Sequence, residues 1–211
     1  MSRIIGAVDF QRITLVGVGL LGGSIGLAAK QRSVAGRVIG YVRRAESVEE
    51  CLENGAVDEA TQDLEAAVTG ASLVILCTPV GQMCELAKRI KPYLSADAVI
   101  TDVGSVKACL AETLPGLLPA GVSYIGAHPM AGSHEVGAQN AREDLFEGSV
   151  CVITPSPAAS GDAVKRVEAF WAALGAEVVR GSIDAPEHVD AAVAGTDIVM
   201  HTAGIFDLAA P

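Results

Sequence analysis

No apolar run in the 211-residue sequence approaches the roughly 20 residues that a helix needs to span a bilayer, so a transmembrane helix is not expected. A basic surplus is lacking too: 25 Asp and Glu against 15 Lys and Arg leave a net charge of −10. Nucleic-acid binding needs a basic face that neutralises phosphates, so such a partner is excluded and the acidic balance reads as solubility. Residues 1–11 show no basic start, long apolar middle or small-residue cleavage site of a secretion signal. The five cysteines, at 51, 77, 84, 109 and 151, are odd in number and lack metal-ligand spacing. Neither a disulfide framework nor a metal centre is expected, and the thiols read as reduced packing groups of a cytoplasmic protein. Internal repeats and low-complexity segments are also absent. What is abundant is apolar residue, half of the chain, with a mean hydropathy of +0.41. That supplies a large core for one ordinary domain with a remainder.

The chain is organised around Arg12-Ile13-Thr14-Leu15-Val16-Gly17-Val18-Gly19-Leu20-Leu21-Gly22-Gly23-Ser24. An apolar, β-branched run reads as a buried strand up to Gly17. Glycines at 17, 19 and 22 then form G-x-G-x-x-G, and Ile25-Gly26-Leu27-Ala28-Ala29 continues as a helix that packs on a sheet. In such a turn Gly17 lets the strand break sharply, Gly19 lets backbone approach a pyrophosphate, and Gly22 lets helix and strand pack closely. The pyrophosphate meets free N–H groups of Leu20, Leu21 and Gly22 at the positive helix end. The motif is weak alone; between a strand and a helix near the start of a chain it points to a dinucleotide.

Further strands are expected at 37–42, 72–77, 98–103, 122–126, 149–153 and 176–180, and helices at 46–54, 81–90, from about 105, and 160–174. Their alternation predicts parallel βαβ units in a doubly wound, mostly parallel sheet of Rossmann type. Ligands in such a sheet bind outside the carboxyl ends of its strands. The unusual residues gather at those ends: Thr78-Pro79, Arg43-Arg44, Gly104-Ser105 and His128.

About 25 residues after Gly17 an acidic residue usually accepts hydrogen bonds from the adenosine ribose of NAD. This chain has Val42, which cannot, followed by Arg43 and Arg44. Two guanidiniums suit the 2′-phosphate of NADP, so NADP is expected over NAD; a solvated basic turn is the plain alternative. His128 falls within Gly126-Ala127-His128-Pro129, read as a Gly/Pro-bounded loop facing the nicotinamide. A group with an ordinary pKa near 6.5 suits a base that takes a hydroxyl proton while hydride leaves the same carbon. Ser105 is placed to cap the following helix, to orient His128 or to contact substrate.

Four blocks together, Gly17 to Ser24, Cys77-Thr78-Pro79, Asp102-Val103-Gly104-Ser105-Val106-Lys107 and Gly126-Ala127-His128-Pro129-Met130-Ala131-Gly132, give a closer match. In order and spacing the chain resembles the prephenate/arogenate dehydrogenase family of tyrosine biosynthesis over about residues 11–190. The resemblance implies oxidative decarboxylation of prephenate or arogenate, with His128 as ring-hydroxyl base and Ser105 helping to hold the hydroxyl. It also implies a homodimer.

The sequence departs from the family in two places. The second glycine-rich loop runs Ser133-His134-Glu135, where the family usually has Ser-Glu after Ala-Gly. Family members continue into a helical domain that opens near a Ser-His-Leu-Pro-His-like segment; here His188-Val189-Asp190 resembles the lead-in and Thr196 to His201 replaces the signature. The expected organisation is therefore a nucleotide-binding domain over 1–184 and the start of a truncated helical segment over 185–211. The apolar side chains of 191–211 are too many for a solvated tail, so that stretch is expected to pack on its own domain or on a second copy. Two other readings compete: a β-hydroxyacid-type reductase with a Lys base on a later helix, and a nucleotide-binding module without turnover.

Overall fold

The structure is a computed structural model that describes residues 10–181. The expected segment 185–211, including the apolar stretch from 191, lies outside the described residues.

The chain enters the sheet as β1 (Ile13–Val16), turns through three residues and forms α1 (Leu20–Gln31). β2 (Val38–Tyr41), α2 (Glu46–Glu53), β3 (Glu59–Thr61) and α3 (Leu64–Val68) follow. Then come β4 (Leu73–Leu76), α4 (Val80–Ile90), β5 (Val99–Asp102) and α5 (Ala108–Leu117). β6 (Ser123–Pro129), β7 (Val150–Pro155), α6 (Gly161–Ala173) and β8 (Glu177–Arg180) complete the order. The strands form one eight-stranded sheet in the order β3-β2-β1-β4-β5-β6-β7-β8. All neighbours run parallel except β6 and β7. β1, β2, β4 and β5 are buried at every position, because helices cover both faces of a parallel sheet.

Two cores result. On one face α1, α2 and α6 bury Ile25, Ala28, Cys51, Phe170 and Trp171 against Ile13, Leu15 and Ile75. Trp171 meets Phe146 and Phe170 edge to face at centroid distances of 5.3 and 5.9 Å. On the other face α3, α4 and α5 bury Leu64, Met83, Leu86, Ile90, Leu110 and Leu114 against Val74, Ile100 and Tyr124. Among the described residues no helix is long and apolar enough to cross a membrane.

The structure departs from the sequence expectations at four points. β3 and α3 are additional. Glu59-Ala60-Thr61 has no apolar run to announce it and forms an edge strand through backbone pairing with β2 alone. α3 is short and begins at a side-chain cap, with Asp63 accepting from the N–H groups of Glu65 and Ala66 at 3.0 and 3.2 Å. The helix expected from Ser105 starts at Ala108 instead, and Ser105 does not cap it. Finally, β6 reaches Pro129 rather than ending near 126, because β7 returns antiparallel and pairs with it from Ile125 to Pro129. No α-helix bridges residues 130–149, so that connection lacks the crossover a parallel pair requires.

Candidate active site

The order of the sheet reverses between β1 and β4, and an open cleft lies at that switch point. It measures about 680 Å³ including its mouth and is lined by Gly17, Gly19, Thr78 and Pro79 at one end. Val42, Arg43, Arg44 and Ser47 line the other, and no carboxylate is among its lining residues. The glycine turn builds its floor. Gly17 has φ of +100°, a conformation that L side chains rarely adopt. A Cβ on Gly22 would stand 2.2 Å from the Gly17 carbonyl oxygen, so α1 approaches the turn at backbone contact distance.

Several features of the cleft fit a dinucleotide. A Cβ on Gly19 would meet nothing within 4 Å, which leaves open space over the start of α1. That helix begins with no side-chain cap and no acidic residue in its first turn, so its leading N–H groups and positive end stay available to an anion. Thr78 Oγ1, in the cleft wall, is buried without a hydrogen-bond partner, a vacancy that a ligand hydroxyl would fill. At the opposite end Arg43 and Arg44 are exposed, and the Arg44 guanidinium donates to Ser47 Oγ at 3.2 Å. Burial pushes the Cys77 thiol, beside Thr78, well above the ordinary range, so it stays protonated and apolar.

Beyond β4 lie the ends of β5 and β6, where a buried polar cluster is organised by Asp102. Its side chain is fully enclosed and forms an ion pair with Lys107, itself 8% exposed. Oδ2 accepts from Lys107 Nζ and from the Gly104 N–H at 2.8 Å. Oδ1 accepts from the Tyr124 hydroxyl at 2.9 Å and the Ala127 N–H at 3.3 Å. Burial raises the Tyr124 hydroxyl far above its ordinary value, and the Asp102 charge adds to that. Burial also pulls the Lys107 ammonium below the usual lysine value, while Asp102 opposes it. Burial likewise raises the Cys151 thiol on β7; nearby Lys107 and the His128 backbone act in the opposite direction.

Of the residues singled out in the sequence, Gly17, Gly19, Arg43, Arg44, Thr78 and Pro79 come together around the cleft. Leu20, Leu21 and Gly22 form the first turn of α1 at its edge, and Gly22 serves packing. Gly104 and half-buried Ser105 occupy the β5–α5 loop, outside the cleft lining. His128 is buried inside β6, paired in register with Val152, and not in a loop. The antiparallel return of β7 accounts for the difference, since it supplies hydrogen bonds that a strand ending at 126 would lack. Sequence reasoning missed Ser47 and Gln82 in the cleft and Tyr124 beneath the β5–α5 loop, and it singled out the block from Asp102 to Lys107 without foreseeing that its two ends pair. Asp102 at the end of an otherwise apolar strand, five residues before a lysine, was the available signal.

A glycine turn, an uncapped helix start and a cleft at the switch point of a doubly wound sheet define a nucleotide-binding domain of the Rossmann class. Comparison with known families narrows this: residues 25–180 match "Prephenate dehydrogenase, nucleotide-binding domain". The chain belongs to the prephenate dehydrogenase family and carries that domain of it. It is 33% identical to a prephenate dehydrogenase of Bacillus subtilis over 190 residues, 90% of this chain and 50% of that one. Among solved structures, prephenate dehydrogenase of A. aeolicus in complex with hydroxyphenyl propionate and NAD+ superposes with a TM-score of 0.77 at 31% identity. The match covers 87% of this chain and 63% of that one. Synechocystis arogenate dehydrogenase gives the same TM-score, 0.77, and the same identity, 31%, over 86% and 62%. The chain thus spans about half the length of the first curated relative and under two thirds of these two structures.

The two inner glycines of the turn are expected to behave differently. In Gly22→Ala the new methyl collides with the Gly17 carbonyl, and stability falls by about 1–3 kcal/mol. Gly19→Ala points its methyl into open space, so stability changes by less than about 1 kcal/mol, the scale of a lost cap preference. Nucleotide affinity drops in that variant nonetheless, because the methyl occupies the approach to α1. Thermal unfolding and nucleotide titration of the two variants check this.

Proposed function

We propose that this chain is the NADP-binding, hydride-transfer half of a prephenate or arogenate dehydrogenase that acts in tyrosine biosynthesis. The observation that carries the reading is the pairing of a carboxylate-free cleft at the switch point with Ser105 in the loop after β5 and His128 on β6. β4, β5 and β6 are consecutive in the sheet, so about 10 Å separates the cleft wall from the strand of His128. That is the span of one small ring and its substituents.

When bound, a nicotinamide dinucleotide supplies the hydride acceptor. The Gly17–Gly22 turn and the start of α1 hold its pyrophosphate, and Thr78 and Pro79 wall the cleft on the β4 side. His128 takes the proton from the substrate's ring hydroxyl oxygen as the carbonyl forms, and Ser105 holds that oxygen in place. Loss of carbon dioxide makes the ring aromatic, which supplies the driving force. Alignment and one base are therefore most of what the protein must provide.

The choice of NADP rests on Arg43 and Arg44 at the cleft mouth, where Val42 replaces the carboxylate that an NAD ribose would bond. The A. aeolicus relative was solved with NAD+, and the preference for NADP is inferred from the two arginines of this chain alone. Cytoplasmic location and a homodimer built through residues 191–211 belong to the same reading, on sequence grounds.

Titration with both cofactors is expected to give tighter binding of NADP. The variant carrying Arg43→Ala and Arg44→Ala is expected to lose roughly 10- to 100-fold in NADP affinity, the worth of about 1.5–3 kcal/mol of charge-assisted bonding, and little for NAD. Equal or tighter NAD binding by the unmodified chain would overturn the preference. In turnover assays with prephenate and with arogenate, His128→Asn is expected to retain NADP binding and lose roughly 10²- to 10⁴-fold in rate. The wild-type pH–rate profile should show one ionisation near neutrality that this variant lacks. Light scattering of the chain with and without residues 191–211 tests the dimer, and a monomer in both cases refutes it.

A further inference from the structure

We propose that Asp102 is a positioning residue that fixes Ser105 and His128 relative to one another. The inference rests on the roles proposed for those two residues.

β5 and β6 pair in register only as far as Thr101 and Ile125. Beyond that point β5 turns away toward α5, and β6 continues for four more residues. The Asp102 carboxylate bridges the gap where the ladder ends. Oδ2 takes the N–H of Gly104, the residue before Ser105, and the ammonium of Lys107, two residues after it. Oδ1 takes the N–H of Ala127, the residue before His128, and the hydroxyl of Tyr124. One carboxylate thus brackets Ser105 on one oxygen and anchors the backbone beside His128 with the other. Alternation along β6 puts Tyr124, Gly126 and His128 on one face. A Cβ on Gly126 would stand 3.2 Å from the Tyr124 hydroxyl, so the missing side chain leaves that hydroxyl room beside Asp102. The Lys107 charge makes an ionised carboxylate tolerable at zero exposure, and all four donors are spent on it. The titratable groups packed around His128 and Asp102 are Lys107 from the β5–α5 loop, Tyr124 from β6, Cys151 from β7, Cys77 at the end of β4, Cys84 from α4 and Cys109 from α5.

Two variants of the full chain test the proposal. Tyr124→Phe removes one donor and no charge. Asp102→Asn combined with Lys107→Met removes the ion pair as a unit, so neither charge is left buried alone. The readouts are thermal unfolding, NADP titration, turnover, and the ring titration of His128 in histidine-labelled protein, its resonance assigned by its loss in His128→Asn. Both variants are expected to bind NADP as the wild type does. The His128 midpoint should move by about half a pH unit or more while that of exposed His134 stays in place. Where the wild type turns over, kcat should fall roughly tenfold or more with KM for NADP unchanged. An unmoved His128 midpoint in a folded Tyr124→Phe variant, together with unchanged kcat where turnover exists, overturns the proposal. If the double variant does not fold, Tyr124→Phe decides alone. Absence of turnover in the wild type with either substrate counts against the proposed function, and the ring titration still decides the role of Asp102.

Discussion

The carboxyl edge of the sheet depends on how closely α1 approaches the turn that leaves β1. At Gly22 the helix and the Gly17 carbonyl are nearer than any side chain permits, and that contact aims the first turn of α1 into the cleft. A helix displaced outward by one methyl group would still bury Ile25 and Ala28. It would no longer present its free N–H groups at the floor of the cleft, where their partial positive charge meets an anion. The constraint is steric, and its consequence is electrostatic.

From that fixed point, the other components follow the sheet. Parallel pairing carries the ends of β2, β1, β4, β5 and β6 to one edge, so residues far apart in sequence share a boundary. Arg43 and Arg44 sit at one limit of the cleft, Thr78 and Pro79 at the other, and Ser105 and His128 beyond them. Where backbone pairing between β5 and β6 stops, the Asp102 carboxylate supplies the missing connection through four donors. A charge enclosed at that depth is stable only because Lys107 and three neutral donors saturate it. The same saturation leaves the loop and the strand few alternative arrangements.

The membership of the chain in the prephenate dehydrogenase family and its length give the domain its context. The described residues form a complete doubly wound sheet with covered faces and a cleft at its switch point. The relatives it matches are longer, and the match covers 50% of the Bacillus subtilis enzyme and 63% of the A. aeolicus structure.

Much of this was legible in the linear sequence, for local reasons. Uninterrupted apolar runs such as Leu73–Leu76 announce strands buried on both faces, and glycine spacing announces the turn before α1. The replacement of an expected carboxylate by Val42, with Arg43 and Arg44 after it, is likewise visible in the order of residues. Tertiary structure decided the features whose cause lies elsewhere in the chain. β3 exists because β2 offers it an edge, although Glu59-Ala60-Thr61 has no strand-like pattern of its own. His128 lies in a strand because β7 returns antiparallel beside it, and nothing within residues 122–130 specifies that partner. Ser105 leaves its helix uncapped because the Asp102 carboxylate holds Gly104 and Lys107, so α5 begins only at Ala108. Periodicity and turn chemistry act over a few residues and can be read in order. A hydrogen bond from Ala127 to a carboxylate 25 positions earlier forms only when the sheet has brought the two together.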